Sequence, residues 1–367
     1  MFEELNLPRA DQLDVMNTLL ASIASGQEGG ISIKSWKDVQ RINRMGLADK
    51  IFVEGDRFVA EYDETPVVWE IAGINHDEST DPVYKNTITI IPVDCLENRQ
   101  FSARQAFYNV GIGLAPGTHV FTFAVGHNDE RQYEFTTAQE VPEDGVIIVS
   151  SWDGEGYVIS KITTYEADRK TTIESGINVT IVSGQANTLT PVNHQQRVKY
   201  GSNNYKESTI RHWLNSDAST WVFVPQTDYD MPPTTAYPTG GFLNRLDPDL
   251  VDVLGTVNKQ VTRNNLFENG GNLLGQDTFS DKVFLLSRVE TGLGTEGTYA
   301  GEKVYPLFAQ ATNADRIKLL SGSPRYWWLR SPYTTNSLGV RSVYTSGELS
   351  GYYAYHAYGL VPACVIV

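Results

Sequence analysis

From residue 51 onward the chain reads as a succession of short strand-like runs, and no other pattern limits its fold as strongly. IFVEGDRFVAEY, PVVWEIAGINHD and NTITIIPVDCL follow one another across acidic or turn-rich connections, as in a meander. THVFTFAVGHNDERQYEFTT, GVIIVSSW, GYVISKITTYE and GINVTIVSG continue the series, with turn residues at regular intervals. Short strands at that spacing suit a small sandwich or barrel, so residues 102–190 are expected to form a β-rich accessory module.

Helical patterns flank these strands. Leu13, Met16, Leu19, Leu20 and Ile23 recur at helical spacing before Gly26, which predicts an amphipathic helix over 9–25 within an N-terminal helical segment, 1–35. Ser35 with Asp38 three residues on forms a capping box for a second, short helix bearing Val39, Ile42 and Met45. Later, YKESTIRHWLN (205–215) carries Ile210, Trp213 and Leu214 on one face, and Asp247-Pro248 suits the start of another helix. DKVFLLS and YWWLRS read as buried strands. No internal repeat or low-complexity tract interrupts the chain.

Charge narrows the partners. A formal net charge of −15 over 367 residues, with no Lys/Arg-rich run to offset it, argues against nucleic acid and anionic membranes. No stretch approaches the roughly 18–20 apolar residues that span a bilayer. The N-terminus MFEELNLPRADQLD lacks a basic segment followed by an apolar one, so no signal peptide is expected and synthesis in a cytoplasm is. Cys95 and Cys364 show no metal-ligand spacing and read as buried small hydrophobes. The phosphate-loop, HExxH, CxxC, GxSxG and GxGxxG motifs are absent, and the histidines at 76, 119, 127, 194, 212 and 356 are scattered. Neither a catalytic site, a metal site nor a cofactor is expected.

The segment YWWLRSP (326–332) carries more. Adjacent tryptophans in a strand point to opposite faces, so both faces must be covered. Arg330 can form several hydrogen bonds at once and pin a loop-rich core. Trp213, Trp327, Trp328 and Arg330 are therefore scaffold candidates.

Five motifs taken in order resemble a bacterial and phage family: YGSNNYKESTIRHWLNSDA (200–218), GFLNRLDPDL (241–250), DKVFLLSRVE (281–290), YWWLRSP (326–332) and YGLVPA (358–363). That family carries a C-type-lectin-like domain of the formylglycine-generating-enzyme type. The resemblance implies an α+β fold: residues 36–101 would be the first part of that domain, 102–190 an inserted or adjacent all-β module, and 191–367 the main part. Members are often variable proteins of diversity-generating retroelements, in which adenine-directed mutagenesis rewrites a C-terminal stretch. Here that stretch would span about 326–367, from the WWLRSP-like motif to Gly359–Ala363. SPYTTNS and YYAYHAY use residue types that AAC-type codons can yield. Formylglycine generation needs a pair of nearby reactive cysteines, which Cys95 and Cys364 do not match. Calcium-dependent lectin motifs of the EPN or WND kind are missing too.

Seven of the 19 tyrosines fall in the last 42 residues, where an even spread would place about two. On a continuous strand, Tyr353 and Tyr355 would share one face, with Tyr352, His356 and Tyr358 on the other. Covering both would need a partner for every hydroxyl, so an exposed recognition surface is the expectation. Its residues are Tyr333, Thr334, Thr335, Asn336, Ser337, Tyr344, Ser346, Ser350, Tyr352, Tyr353, Tyr355, His356 and Tyr358. The function expected is non-enzymatic binding, as in a phage receptor-binding protein at a tail tip on the virion surface. Its partners would be a host cell-surface protein or glycan and other virion proteins, and a homo-oligomer such as a trimer is an option. The alternative is a structural virion component, a head decoration or baseplate protein, with the aromatic patch as a subunit contact.

Overall fold

The computed structural model describes residues 33–103, 107–109, 113–126, 129–143, 145–152, 157–164, 172–186, 203–226, 230–263, 275–295, 302–334 and 338–367. The helix expected over 9–25 lies outside them. The first described element is α1 (Trp36–Arg44), capped by Ser35: Asp38 N–H donates to Ser35 Oγ at 3.2 Å. Asp38 Oδ2 reaches back to accept from Ser35 Oγ and from Lys34 N–H, each at 3.0 Å, in place of the Ser35 N–H of a full capping box. Trp36, Val39 and Ile42 turn inward and are buried. A one-turn helix, α2 (Ala48–Ile51), follows.

Strands β1 (Arg57–Tyr62) and β2 (Thr65–Ile74) form a hairpin closed by Asp63 and Glu64, both with positive φ (52° and 60°). A two-residue turn of that hand matches strand twist but strains residues that carry a Cβ. Arg245 offsets this by gripping the Asp63 carboxylate at 2.9 and 3.2 Å. Next come β3 (Ile88–Pro92) and the short β4 (Asn98–Gln100). Six strands then pair among themselves as one antiparallel sheet: β5 (Phe107–Asn109), β6 (Gly117–Gly126), β7 (Asp129–Thr137), β8 (Gly145–Trp152), β9 (Tyr157–Thr164) and β10 (Thr172–Ala186), in the order β5-β8-β9-β10-β7-β6.

Beyond them lie three short helices, α3 (Thr209–Leu214), α4 (Phe242–Arg245) and α5 (Pro248–Val251). The hairpin β11 (Val257–Thr262) and β12 (Gln276–Asp281) precedes β13 (Val283–Leu285). A second hairpin, β14 (Lys318–Leu320) and β15 (Ser323–Arg325), leads into β16 (Trp327–Pro332), β17 (Gly339–Val343), β18 (Leu349–Tyr353), β19 (Ala357–Gly359) and β20 (Pro362–Ile366). Two five-stranded sheets organise this region, β1-β2-β3-β20-β13 and β18-β17-β16-β19-β4. The chain passes from the second to the first between Gly359 and Pro362. A Cβ on Gly359 would lie 2.5 Å from Cys95 Sγ and 2.7 Å from the Tyr326 carbonyl, so only glycine allows that approach. Strand β20 then sits between β3 and β13 with every residue buried, which explains its unbroken apolar sequence.

This architecture corrects the expected α+β C-type-lectin-like fold. The described helices are five, of four to nine residues, and the protein is mostly β in several small sheets. The physical reason lies in local capping. Over 205–215 one helix was expected, but Asn204 caps a single 3-10 turn (Tyr205–Glu207) and Ser208 then caps the six-residue α3 afresh. Asp247-Pro248 starts only one turn. Helices this short contribute anchor side chains, such as Ile210 and Trp213, rather than a layer.

His212 on α3 has its Nε2 buried without a partner. Burial, with the Arg211 guanidinium beside it, pushes the imidazole down to about 4. Because its folded pKa is depressed, the unfolded chain binds a proton between pH 6.5 and 4 that the native state does not, and stability falls as pH drops through that window. Acid titration of the urea midpoint should show a loss on the order of 2 kcal/mol there. H212Q should flatten that segment of the curve.

Candidate functional site

The described members of the expected recognition set sit on or beside strands β16–β19 of the second sheet. Its frame is buried. Trp327 and Trp328 point to opposite faces, as alternation demands, and both are fully enclosed. Trp327 Nε1 donates to the Arg316 carbonyl (3.0 Å) and Trp328 Nε1 to the Arg99 carbonyl (2.8 Å). Trp213 is equally buried, donates to the Gly240 carbonyl (3.0 Å) and lies beneath the Arg99 guanidinium.

Arg330 is wholly buried and uses its entire fork. Nε donates to the Gln260 carbonyl (2.9 Å), Nη1 to the Leu285 carbonyl (2.9 Å) and to Glu290 Oε2, and Nη2 to Glu290 Oε1 (2.9 Å) and Glu302 Oε1 (2.5 Å). Glu290 also pairs with Lys259 (2.6 Å), and Lys259 with Asp77 (2.7 Å). Tyr305 OH and Thr89 Oγ1 donate to the second oxygen of Asp77 at 2.6 and 2.5 Å. Burial works against the charged Glu290, yet Arg330 and Lys259 hold its carboxyl far below the usual range. Burial pushes Glu302 upward, with Arg330 opposing. The network borders a polar cleft of about 500 Å³. Sequence reasoning singled out Arg330 alone. Lys259, Glu290 and Asp77 stand far apart in the chain, with no spacing that joins them.

Above this frame the tyrosines do not divide between two faces. Strand β18 ends at Tyr353, a turn covers 354–356, and β19 starts at Ala357. Ala354 is the pivot: fully buried, it donates to the Leu338 carbonyl (2.9 Å) and accepts from Phe101 and Ser102 N–H (3.0 Å each). Buried Gln100 donates to the Tyr355 carbonyl at 2.7 Å. The turn therefore brings both sets of rings into one cluster. Tyr353 stacks on Tyr355 (centroids 5.4 Å), His356 touches Tyr355 (4.7 Å), and Tyr352 meets His356 and Tyr358 edge-on (4.8 and 5.2 Å). Tyr358 stacks on Tyr326 (5.0 Å) and packs on Trp328 (4.8 Å), while Tyr344 closes edge-on over Tyr326 (4.5 Å). A hydrogen bond with Tyr344 pushes the Tyr326 phenol up to about 12.

The cluster is graded from frame to solvent. Tyr344, Tyr352 and Tyr353 are 39%, 42% and 46% exposed, whereas Tyr326, Tyr355, His356 and Tyr358 are half-buried. Tyr333 is tied into the frame: its ring lies across Gly339 and Gly351, where an added Cβ would come within 2.4 and 2.1 Å, and the Arg341 guanidinium covers it at 3.6 Å. Ser346 is exposed and donates to Glu348 (3.2 Å); Ser350 and Thr334 are half-buried. Thr335, Asn336 and Ser337 lie outside the described residues. Gln100 and Ala354, which hold the turn, carry no sequence signal as a polar and a small residue among many.

Cys95 and Cys364 are buried and unpaired, and burial pushes the Cys95 thiol up to about 12. Among the described residues, no group of three or more His, Cys, Asp or Glu is arranged for a metal, and no helix is long and apolar enough to cross a membrane.

A buried charged frame beneath a tyrosine-rich edge defines a mostly β protein. Residues 177–367 match the domain of unknown function DUF6273, and the chain belongs to that family. No curated protein and no solved structure matches the chain.

Removing one partner from the buried network leaves the others charged and unpaired. R330M should lower stability by about 3–5 kcal/mol or prevent folding, measured as a shift in urea midpoint. E290Q, which keeps shape and some hydrogen bonds, should cost less.

Proposed function

We propose that this chain is a non-enzymatic binding protein whose contact surface is the aromatic cluster of Tyr344, Tyr352, Tyr353, Tyr355, His356 and Tyr358. The observation that carries the reading is the grading of that cluster: exposed rings rest on a fully buried frame. Tyrosine gives a large rigid contact area at low entropic cost and a hydroxyl for polar partners. Rings already in mutual contact lose little further freedom on binding.

The partner proposed is a host cell-surface protein or glycan, met by a virion-surface protein such as a phage tail tip. The likeness of YWWLRSP, SPYTTNS, YYAYHAY and YGLVPA to variable-protein sequences supports this reading. It also supports rewriting of the exposed positions between Tyr333 and Tyr358. The mechanism is reversible association, in which buried ring contacts of this kind each contribute about 2 kcal/mol or more.

Alanine at Tyr352 and Tyr353 together should abolish adsorption of the purified protein to susceptible cells, yet change unfolding stability by less than about 1 kcal/mol. Y358A and Y326A should instead cost about 2 kcal/mol of stability, since those rings stack on each other and Tyr358 packs on Trp328. Full adsorption by the Tyr352/Tyr353 double variant would defeat the proposal.

A further inference from the structure

Among the described residues, strand β18 is the first strand of its sheet and pairs on one side only, with β17. Two flanking bonds fix which of its backbone groups turn inward. Tyr344 N–H donates to the Glu348 carbonyl (2.8 Å), and Ala354 N–H to the Leu338 carbonyl (2.9 Å). The register between them runs without a bulge. In an antiparallel ladder alternate residues exchange bonds, so Ser350 and Tyr352 bond to β17. Leu349, Gly351 and Tyr353 therefore aim their N–H groups out of the sheet, as Leu349 and Gly351 do their carbonyls; the Tyr353 carbonyl accepts from His356 N–H (3.0 Å) in the turn that follows. Among the described residues no hydrogen bond from these three N–H groups is found.

Natural sheets guard an open edge with a charge, a proline or a bulge. The sequence LSGYY has none of these. Its outward set is also symmetric about Gly351. Laid antiparallel against its own copy with Gly351 at the centre, the strand pairs Leu349 with Tyr353 of the second copy, and Gly351 with Gly351. The Gly351 and Tyr353 N–H groups then meet the outward carbonyls of Gly351 and Leu349, and Leu349 N–H meets the Tyr353 carbonyl at its second lone pair. The intervening pair sets Ser350 against Tyr352, so a small side chain faces a ring and no like charges meet. The Tyr333 ring already fills the space a Cβ at Gly351 would take.

We propose that β18 pairs with β18 of a second copy of this chain, two-fold about Gly351, joining two five-stranded sheets edge to edge. The pairing brings two aromatic clusters side by side, so one dimer presents a doubled contact surface. It stands independently of the binding role above, because it rests on backbone groups.

Sedimentation equilibrium of the full chain over a roughly hundredfold concentration range tests it. The expected result is a species of twice the 40.8 kDa chain mass. Amide exchange at Leu349, Gly351 and Tyr353 should slow about tenfold or more as concentration rises. S350K, which sets a charge opposite Tyr352 of the second copy, should weaken association at least about tenfold while the near-ultraviolet circular dichroism stays unchanged. If S350K fails to fold, the wild-type exchange data decide. A monomer at the highest concentration, a trimer, or a dimer whose three amides still exchange freely would overturn the proposal.

Discussion

The Arg330–Glu290 pair, extended through Lys259 to Asp77, is the interaction on which the rest of this region depends. It gathers the β2–β3 connection, β11, the segment after β13, and β16 around one buried site. Burying charges costs several kcal/mol each, and that cost is recovered only where hydrogen bonds are complete. Arg330 meets the condition, with every nitrogen of its fork engaged. Those directional bonds hold β16 at one height against β11 and β13, and β16 carries Trp328, on which Tyr358 rests.

The aromatic edge gains its shape from that support. Tyr358 leans on Trp328 and stacks on Tyr326, and Tyr352, Tyr353 and Tyr344 project from them toward solvent. Replacing an outer ring removes contact area from the surface, whereas replacing an inner ring opens a hole beside a buried tryptophan. Contact chemistry can thus vary outside while the frame stays constant. The open backbone edge of β18 adds a second mode of contact a few ångströms away, governed by hydrogen bonds rather than rings.

Parts of this were legible in the chain. Ser35 and Asp38 announced α1, because a capping box depends only on residues three apart. Paired tryptophans told of a strand covered on both faces, since alternation is a local property. Tyrosine density marked the edge, but its geometry was misread: seven residues treated as a strand are a strand end, a turn and a new strand. Nothing in YYAYHAY signals that turn, because Ala354 is held by Phe101, Ser102 and Leu338, far away in sequence. The expected C-type-lectin-like fold failed for a related reason. Motif order speaks of local pieces, while the fold lies in strand order and in caps that cut the helices short.

Residues alone determined several of the short segments: the capped helix α1, the strand runs and the concentration of rings near the end. Those outcomes follow from dihedral preference and side-chain period, which act over a few residues. Tertiary structure decided which strands are neighbours, that Lys259, Glu290 and Asp77 converge on Arg330, and that the tyrosines share one surface. These depend on contacts between residues tens to hundreds of positions apart, where only the balance of burial against desolvation selects one arrangement.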